Sequence, residues 1–391
     1  MIETPLPTAG NRHKAVRPHR VVIAGGGVAA LEGLLALREL AGERVEIQLV
    51  TPNAEFVYRP LEFAALFRGE HVRRFDLGRI VADNGAALVP DRLEAVWPDA
   101  NLAVTSGGRH IEYDSLLIAI GTRLRVAVAG AVTVAAPGFR QDFARLLDDI
   151  ESGLARRVAF AAPGGMGWLL PLYELALMTA DRLKASDAAA ELMVVTPEDA
   201  PLEVFGREAS RAVAELLAER NIRLLTGHWP IRCDIHGLIT SPNEVIEADR
   251  VVALPAMRGP GVHGLPEAPG GFIPTDSYGR VIGQERIYAA GDGTAFPIKQ
   301  GGLAAQQADA AASAIAAAAG ADVAPAPFKP VLRGLLLTGQ EPHYLRTDLS
   351  RPAKPGETAE RPLWWPATKV AARSLGPYLA ARPGLELRTT P

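Results

Sequence analysis

Gly25-Gly26-Gly27-Val28-Ala29-Ala30 directly follows a short apolar run, residues 21–24, and opens a helical stretch over residues 29–40. Glycine at 25 allows a tight turn and glycine at 27 lets backbone approach a bound phosphate, while the amides at a helix start favour negative charge. In this strand–turn–helix setting the G-x-G-x-x-A spacing suits the pyrophosphate of a dinucleotide; a tight turn without ligand is the alternative that one glycine motif leaves open. The sole cysteine, Cys233, excludes an intrachain disulfide, a Cys-x-x-Cys pair and a multi-thiolate cluster. Set between Arg232 and Asp234 in an expected strand, it reads as a buried structural thiol. His228, His236 and His263 form the nearest histidine group and lack metal-ligand spacing; no nucleophile elbow or carboxylate pair points to a hydrolase.

These residues need elements to hold them. Residues 20–53 read as one β-α-β unit, and a second runs from a strand at 158–162 through a helix at 171–183 to a strand at 191–196. A helix at 208–219 and a strand at 222–225 follow. Parallel strands need helical crossovers, so the expected fold is α/β: two Rossmann-like, doubly wound domains, the first discontinuous, plus a small C-terminal α+β region. The expected boundaries are 20–150 and 271–325 for the first domain, 155–270 for the second and 328–391 for the C-terminal region, which reads as a hairpin and a helical segment containing Trp and Pro. With 391 residues, 48% of them hydrophobic, the chain can build two cores. A net charge of −3 gives no basic field for nucleic acid. Residues 1–19 show no signal-like apolar core and no run of about 18 apolar residues occurs elsewhere, so a cytoplasmic, non-spanning protein is expected.

Two further strand-turn segments join the glycine motif: Tyr113-Asp114-Ser115-Leu116-Leu117-Ile118-Ala119-Ile120-Gly121-Thr122, and Ile287-Tyr288-Ala289-Ala290-Gly291-Asp292 with Lys299-Gln300-Gly301-Gly302-Leu303-Ala304 after it. In this order the three resemble the motifs of the two-dinucleotide-domain flavoproteins, a family that includes type II NADH dehydrogenases, sulfide:quinone oxidoreductases and disulfide reductases. The resemblance covers residues 20–345 and implies FAD. It would place the pyrophosphate on Gly25, Gly27 and Ala30 with Val28 and Ala29 beside them, and Ala119, Gly121 and Thr122 closing over the dinucleotide. Asp292, after Gly291, would bond the ribityl chain. Gly301, Gly302 and Leu303 would open a helix toward the flavin pyrimidine ring, where reduction places negative charge, with Lys299 adding a cation and Gln300 beside it. Phe56, Tyr58 and Pro60 fall where relatives line the isoalloxazine, a packed loop anchor being the alternative.

Departures from the family pattern shape the functional expectation. The second strand ends without the usual ribose-binding acid, leaving Thr51 or Asn53 as weak substitutes. In the second unit, Met166, Trp168, Leu169 and Leu170 fill a lengthened connection where glycines should cradle a nicotinamide cofactor, and Glu198 lies beyond the strand end. This resembles the sulfide:quinone branch, yet one cysteine cannot supply that branch's redox pair. The expected function is therefore an FAD-dependent oxidoreductase passing electrons from a small-molecule donor to a quinone-like or other acceptor. An NAD(P)H dehydrogenase with an atypical nicotinamide site and an FAD-binding scaffold subunit without turnover are the alternatives. Residues 363–379, with Trp364, Trp365 and two cations, read either as a peripheral contact to the inner membrane face or as packing on the flavin domain or a second subunit, leaving a homodimer open.

Overall fold

A computed structural model describes residues 17–68, 71–351 and 355–387. Residues 1–16, part of the stretch without a signal-like core, and residues 388–391, the end of the expected C-terminal region, lie outside them. Two five-stranded parallel sheets form the frame. In the first, Ile287–Ala289, Ser115–Ile118, His19–Ala24, Val45–Val50 and Ala87–Val89 lie side by side in that order. Its strands are apolar without alternation because both faces are covered. Val21 and Ile23 meet the helices Val28–Ala41 and Gly301–Ala318. Val22 and Ala24 meet Leu93, Val96 and Ala103 of an antiparallel meander.

Small side chains set the spacing of the two helices. A Cβ on Gly33 would come within 2.7 Å of Leu117 Cδ2, and Ala304, Ala308, Ala311 and Ala312 lie in the same core. The strand Ile287–Ala289 arrives only after the second body has been built, which makes the first domain discontinuous as expected.

The second sheet has the order Val132–Thr133, Arg250–Ala253, Arg157–Ala161, Glu191–Val195, Ile222–Leu225. Phe139, Phe143, Leu146, Leu147 and Ile150, repeating at helical spacing on Phe139–Glu151, bury into its core beside the helices Leu170–Ser186 and Arg207–Glu219. Thus Val132–Thr133 joins the second sheet and the helix Phe139–Glu151 packs into its core, although the sequence assigns both to the first domain. Conversely, Val262 pairs its side chain with the first domain's core, so the return begins before residue 271. The domain change is invisible in the sequence because both cores draw on the same apolar residues.

The C-terminal region adds a third strand, Glu357–Ala359, to the expected hairpin of Val331–Leu336 and His343–Asp348. The expected helical segment is short, Leu375–Ala380; residues 363–374 run as bends through Pro366. Leu332, Leu336 and Leu345 pack on the second core, whereas Val370, Leu375, Tyr378 and Leu379 pack on the first. The region therefore ties the two bodies together. Among the described residues no helix is long and apolar enough to cross a membrane.

Candidate functional site

The ends of the central strands of the first sheet converge on the glycine turn. Gly25 has φ +128° and donates its N–H to Val50 O at 2.9 Å; a Cβ there would lie 2.2 Å from the Ala119 carbonyl oxygen. Gly26 is hemmed by the buried Thr51, whose Oγ1 would stand 2.9 Å from an added Cβ. Gly27 differs from both. It is the N-cap of Val28–Ala41, in extended conformation, and an added Cβ would meet nothing within 4 Å. No described side chain caps this helix and no acid occupies its first turn, so its leading amides have no side-chain acceptor. That is the condition for binding an anion.

Gly291 completes the turn. Its φ is +86°, its N–H donates to Gln307 Oε1 at 2.7 Å, and a Cβ would press on Ala29 at 3.1 Å and Ala304 at 3.5 Å. The next residue, Asp292, is thereby held between the starts of both helices. Its carboxyl is raised by burial, with Lys299 opposing, and no described residue hydrogen-bonds it. Lys299 lies along the same loop: its Nζ donates to Thr294 O at 2.5 Å and Phe296 O at 2.6 Å and stands 3.9 Å from the Phe272 ring centroid. Burial lowers it to about 8, with Asp292 opposing.

The structure thus gathers Gly25, Gly27, Val28, Ala29, Thr51, Ala119, Gly291 and Asp292 around one opening. Ala30 is fully buried at the helix–sheet contact, Gly121 has φ +71° on the same side, and Thr122 follows it part-buried. Asn53 is exposed, and its N–H donates to Thr51 Oγ1 at 3.3 Å. Other expected residues are engaged within the protein. Gln300 caps Gly301–Ala318 through its own side chain, accepting from Leu303 N at 2.8 Å, and Leu303 is buried in the second core. Gly301 and Gly302 lie under the C-terminal segment, at 3.0 Å from Val370 Cγ2 and 3.6 Å from Ala371 N, measured from an added Cβ. Phe56 is the packed anchor, stacked on Phe75 at 6.0 Å; Pro60 is part-buried nearby. Tyr58 reaches further, its hydroxyl accepting from Val370 N at 3.2 Å.

Sequence reasoning missed what the C-terminal segment does. Lys369 pairs with Glu174 of the second body's helix and donates to Leu335 O at 2.6 Å; Leu337 N also donates to Glu174 at 2.9 Å. Burial pushes Glu174 up and Lys369 down, and each restrains the other. Glu174 Oε2 is buried with no hydrogen-bond partner among the described residues. Glu32, fully buried in Val28–Ala41, accepts from Ser374 N at 2.8 Å and Leu375 N at 2.6 Å. The available signal was an acid in an otherwise apolar helix face, at Glu32 and Glu174 alike. Trp365 is 89% exposed, whereas Trp364 donates to Thr368 O and meets Tyr344 edge-on.

The second body presents a different strand end. Between Ala161 and the helix start at Leu170, Leu169 is buried, Trp168 packs on Phe205 at 6.0 Å, and Pro171 removes an amide from the first turn. A Cβ on Gly167 would lie 2.6 Å from Pro297 O, so this connection abuts the loop that carries Asp292 and Lys299. Glu198 accepts from Tyr173 Oη at 2.6 Å and Thr196 Oγ1 at 3.0 Å, and burial raises it to about 7. Its acid is therefore already occupied.

Two parallel-sheet domains, the first interrupted by the second, with a helix start that no described side chain caps and Asp292 nearby, make a fold suited to holding a dinucleotide in its first body. FAD fits the residues present: Gly27 leaves room for phosphate at the helix start, and Asp292 offers an acceptor that no described residue hydrogen-bonds. Residues 173–318 match the family model described as pyridine nucleotide-disulphide oxidoreductase. The sulfide-quinone reductase of Aquifex aeolicus (strain VF5) is 28% identical over 216 residues, 52% of this chain and 49% of that protein. An alternative NAD(P)H-ubiquinone oxidoreductase C1 of Arabidopsis thaliana is 26% identical over 329 residues, 71% of this chain and 62% of that one. The solved sulfide:quinone oxidoreductase of Aquifex aeolicus superposes with TM-score 0.79 at 22% identity, covering 87% of this chain and 86% of that chain. The chain spans about half the length of the curated sulfide-quinone reductase it matches. The matched residues span the middle of the chain, from the second body into the helix Gly301–Ala318 of the first.

Proposed function

We propose that the protein is an FAD-dependent oxidoreductase that takes electrons from a small reductant and passes them to a quinone-like or other acceptor. The observation that carries this reading is the contrast between the two strand ends. One is open, with an uncapped helix start and an Asp292 that no described residue hydrogen-bonds; the other is filled by Trp168, Leu169 and Leu170, with Glu198 bonded to Tyr173. When bound, FAD supplies the two-electron chemistry. The residues around it do the holding: the amides at Gly27–Ala29 take the phosphates, Asp292 accepts a sugar hydroxyl, and Lys299 fixes the loop on which Asp292 sits. Tyr58 and Val370 join the first domain to the C-terminal segment and shield that side from water.

Likeness to two quinone-reducing enzymes supports the acceptor class. A paired-cysteine route from sulfide is disfavoured, since Cys233 is alone and burial, with Asp234 adding to it, raises its thiol to about 11. An NAD(P)H dehydrogenase is the second reading, favoured by the extent of likeness to the plant enzyme. Anaerobic titration of the flavin absorbance with NADH, NADPH and sulfide, followed by reoxidation with a short-chain quinone, decides. Bleaching by no donor refutes the proposed route, and no reoxidation by quinone removes the quinone-like acceptor from it.

A further inference from the structure

A closed ring of hydrogen bonds ties the turn that carries Asp292 to the helix Gly301–Ala318. Gly291 N donates to Gln307 Oε1 at 2.7 Å, Gln307 Nε2 donates to Thr294 Oγ1 at 3.3 Å, and Thr294 Oγ1 donates to Gly291 O at 3.0 Å. All three residues are buried. Asp292 and Gly293 lie within the turn that the ring closes. Beyond Asp292 the main chain does the holding, with Ile273 N donating to Gly293 O at 2.9 Å and Ala295 N to Ile273 O at 2.8 Å. Before Asp292, Gly291 N bonds a side chain instead, that of Gln307.

The ring requires an amide at position 307. One atom of the group must accept and the other must donate; glutamine does both at any pH, whereas ionised glutamate only accepts and leucine does neither. Ala304, Ala308 and Ala311 share its helix face by spacing and pack in the first core, so Gln307 is a polar group buried among alanines. Such a group costs stability unless its bonds are made, and both of its ends meet the Asp292 turn. Gln306, its neighbour in the chain, serves another element: it bonds Gly302 O and both the N–H and the carbonyl of Val331.

We propose that Gln307 is a positioning residue for the flavin, aiming the Asp292 carboxylate at a sugar hydroxyl of FAD by fixing the Gly291–Thr294 turn. This rests on the reading of Asp292 as an FAD acceptor. A contact group keeps its geometry only when held within about 0.5 Å, and the hydrogen bonds behind it do that work. Gln307 acts through Asp292 and makes no contact of its own with the cofactor.

Fluorescence titration of the apoproteins with FAD, arranged as a double-mutant cycle, tests this. Gln307→Leu weakens FAD about tenfold in the wild-type background, and by less than about twofold in the Asp292→Ala background, where the group it positions is gone. Thr294→Val opens the same ring at another corner and gives the same pattern. Gln307→Glu adds a pH profile. Protonated glutamate accepts and donates as the amide does, and burial favours that form. Its FAD affinity is therefore close to wild type at about pH 5.5 and about tenfold weaker at about pH 8. Each value is read as a ratio to wild type at the same pH, so that Asp292 and Lys299 are present on both sides of the comparison; Gln307→Leu shows no such recovery. Three outcomes overturn the proposal: FAD affinity unchanged in both Gln307→Leu and Thr294→Val, an equal loss with and without Asp292, or Gln307→Glu equally weak at both pH values. Wild-type protein that takes up no FAD overturns the Asp292 assignment along with it, whereas FAD uptake with an additive cycle overturns the positioning role alone.

Discussion

Replacing Gly27 by valine separates cofactor binding from folding, because Gly25 and Gly27 have opposite surroundings. At Gly25 the backbone is at φ +128°, and a Cβ would overlap the Ala119 carbonyl at 2.2 Å. Alanine there carries backbone strain of about 1–3 kcal/mol, and the overlap adds displacement of the neighbouring strand end. Gly27 is extended, at φ −98° and ψ −167°, and a side chain there points into open space. Gly27→Val costs the apoprotein no more than about 1 kcal/mol, the scale of an N-cap substitution. It removes phosphate access to the helix amides. Two charge-assisted hydrogen bonds at about 1.5–3 kcal/mol each give a loss of about 3–6 kcal/mol, or roughly 10²- to 10⁴-fold in FAD affinity. The assay is urea unfolding of both apoproteins, followed by fluorescence titration with FAD. Full flavin occupancy in Gly27→Val, or a loss of apoprotein stability as large as that of Gly25→Ala, would refute the reasoning.

Asp292→Ala is expected to weaken FAD by about tenfold to a hundredfold, because one charge-assisted bond is lost; unchanged affinity in the same titration contradicts the assigned contact. Glu32, raised to about 7 by burial with Asp309 adding to it, binds more protons folded than unfolded, so its contribution to stability is largest below its ordinary value near 4.5 and falls as pH rises toward 7. The span corresponds to about 3 kcal/mol, and Glu32→Gln should flatten the stability profile in that window; an unchanged slope in urea melts from pH 4.5 to 7.5 counts against it. Millimolar NADH should bleach the flavin slowly, and bleaching within about a second in stopped flow, the timescale of ordinary turnover, favours the dehydrogenase reading.

Periodicity and glycine spacing carried most of the frame. The two β-α-β units lie at the places read from residues 20–53 and 158–196, and Gly25, Gly27 and Gly291 stand at the turns where their spacing put them. Local patterns could reach that far because strand, turn and helix are adjacent in the chain. Contacts across the chain were another matter. Tyr58 meets Val370, Glu174 meets Lys369, and Glu32 meets Ser374, each across at least 195 residues of sequence. Nothing in the spacing of an isolated lysine or glutamate names its distant partner. Gln300 and Leu303 show the limit from the other side: the motif was read correctly as a helix start, but whether its side chains faced a ligand or capped and packed the helix depended on tertiary neighbours.

The filled connection in the second body has a positive role as well as a blocking one. Where Gly27 stands in open space, Gly167 is pressed against Pro297 O, and Phe296 and Ile298 pack into the second core beside Trp168 and Met166. These are residues of the loop that carries Asp292 and Lys299, and Lys299 is itself held by Thr294 O and Phe296 O. The apolar side chains that close the second strand end therefore brace the acid of the first. A phosphate cradle there would require glycine and solvent at the same contact, and would leave the Asp292 loop resting on fewer apolar neighbours. The filled second strand end and the support of the Asp292 loop are two consequences of one packing arrangement.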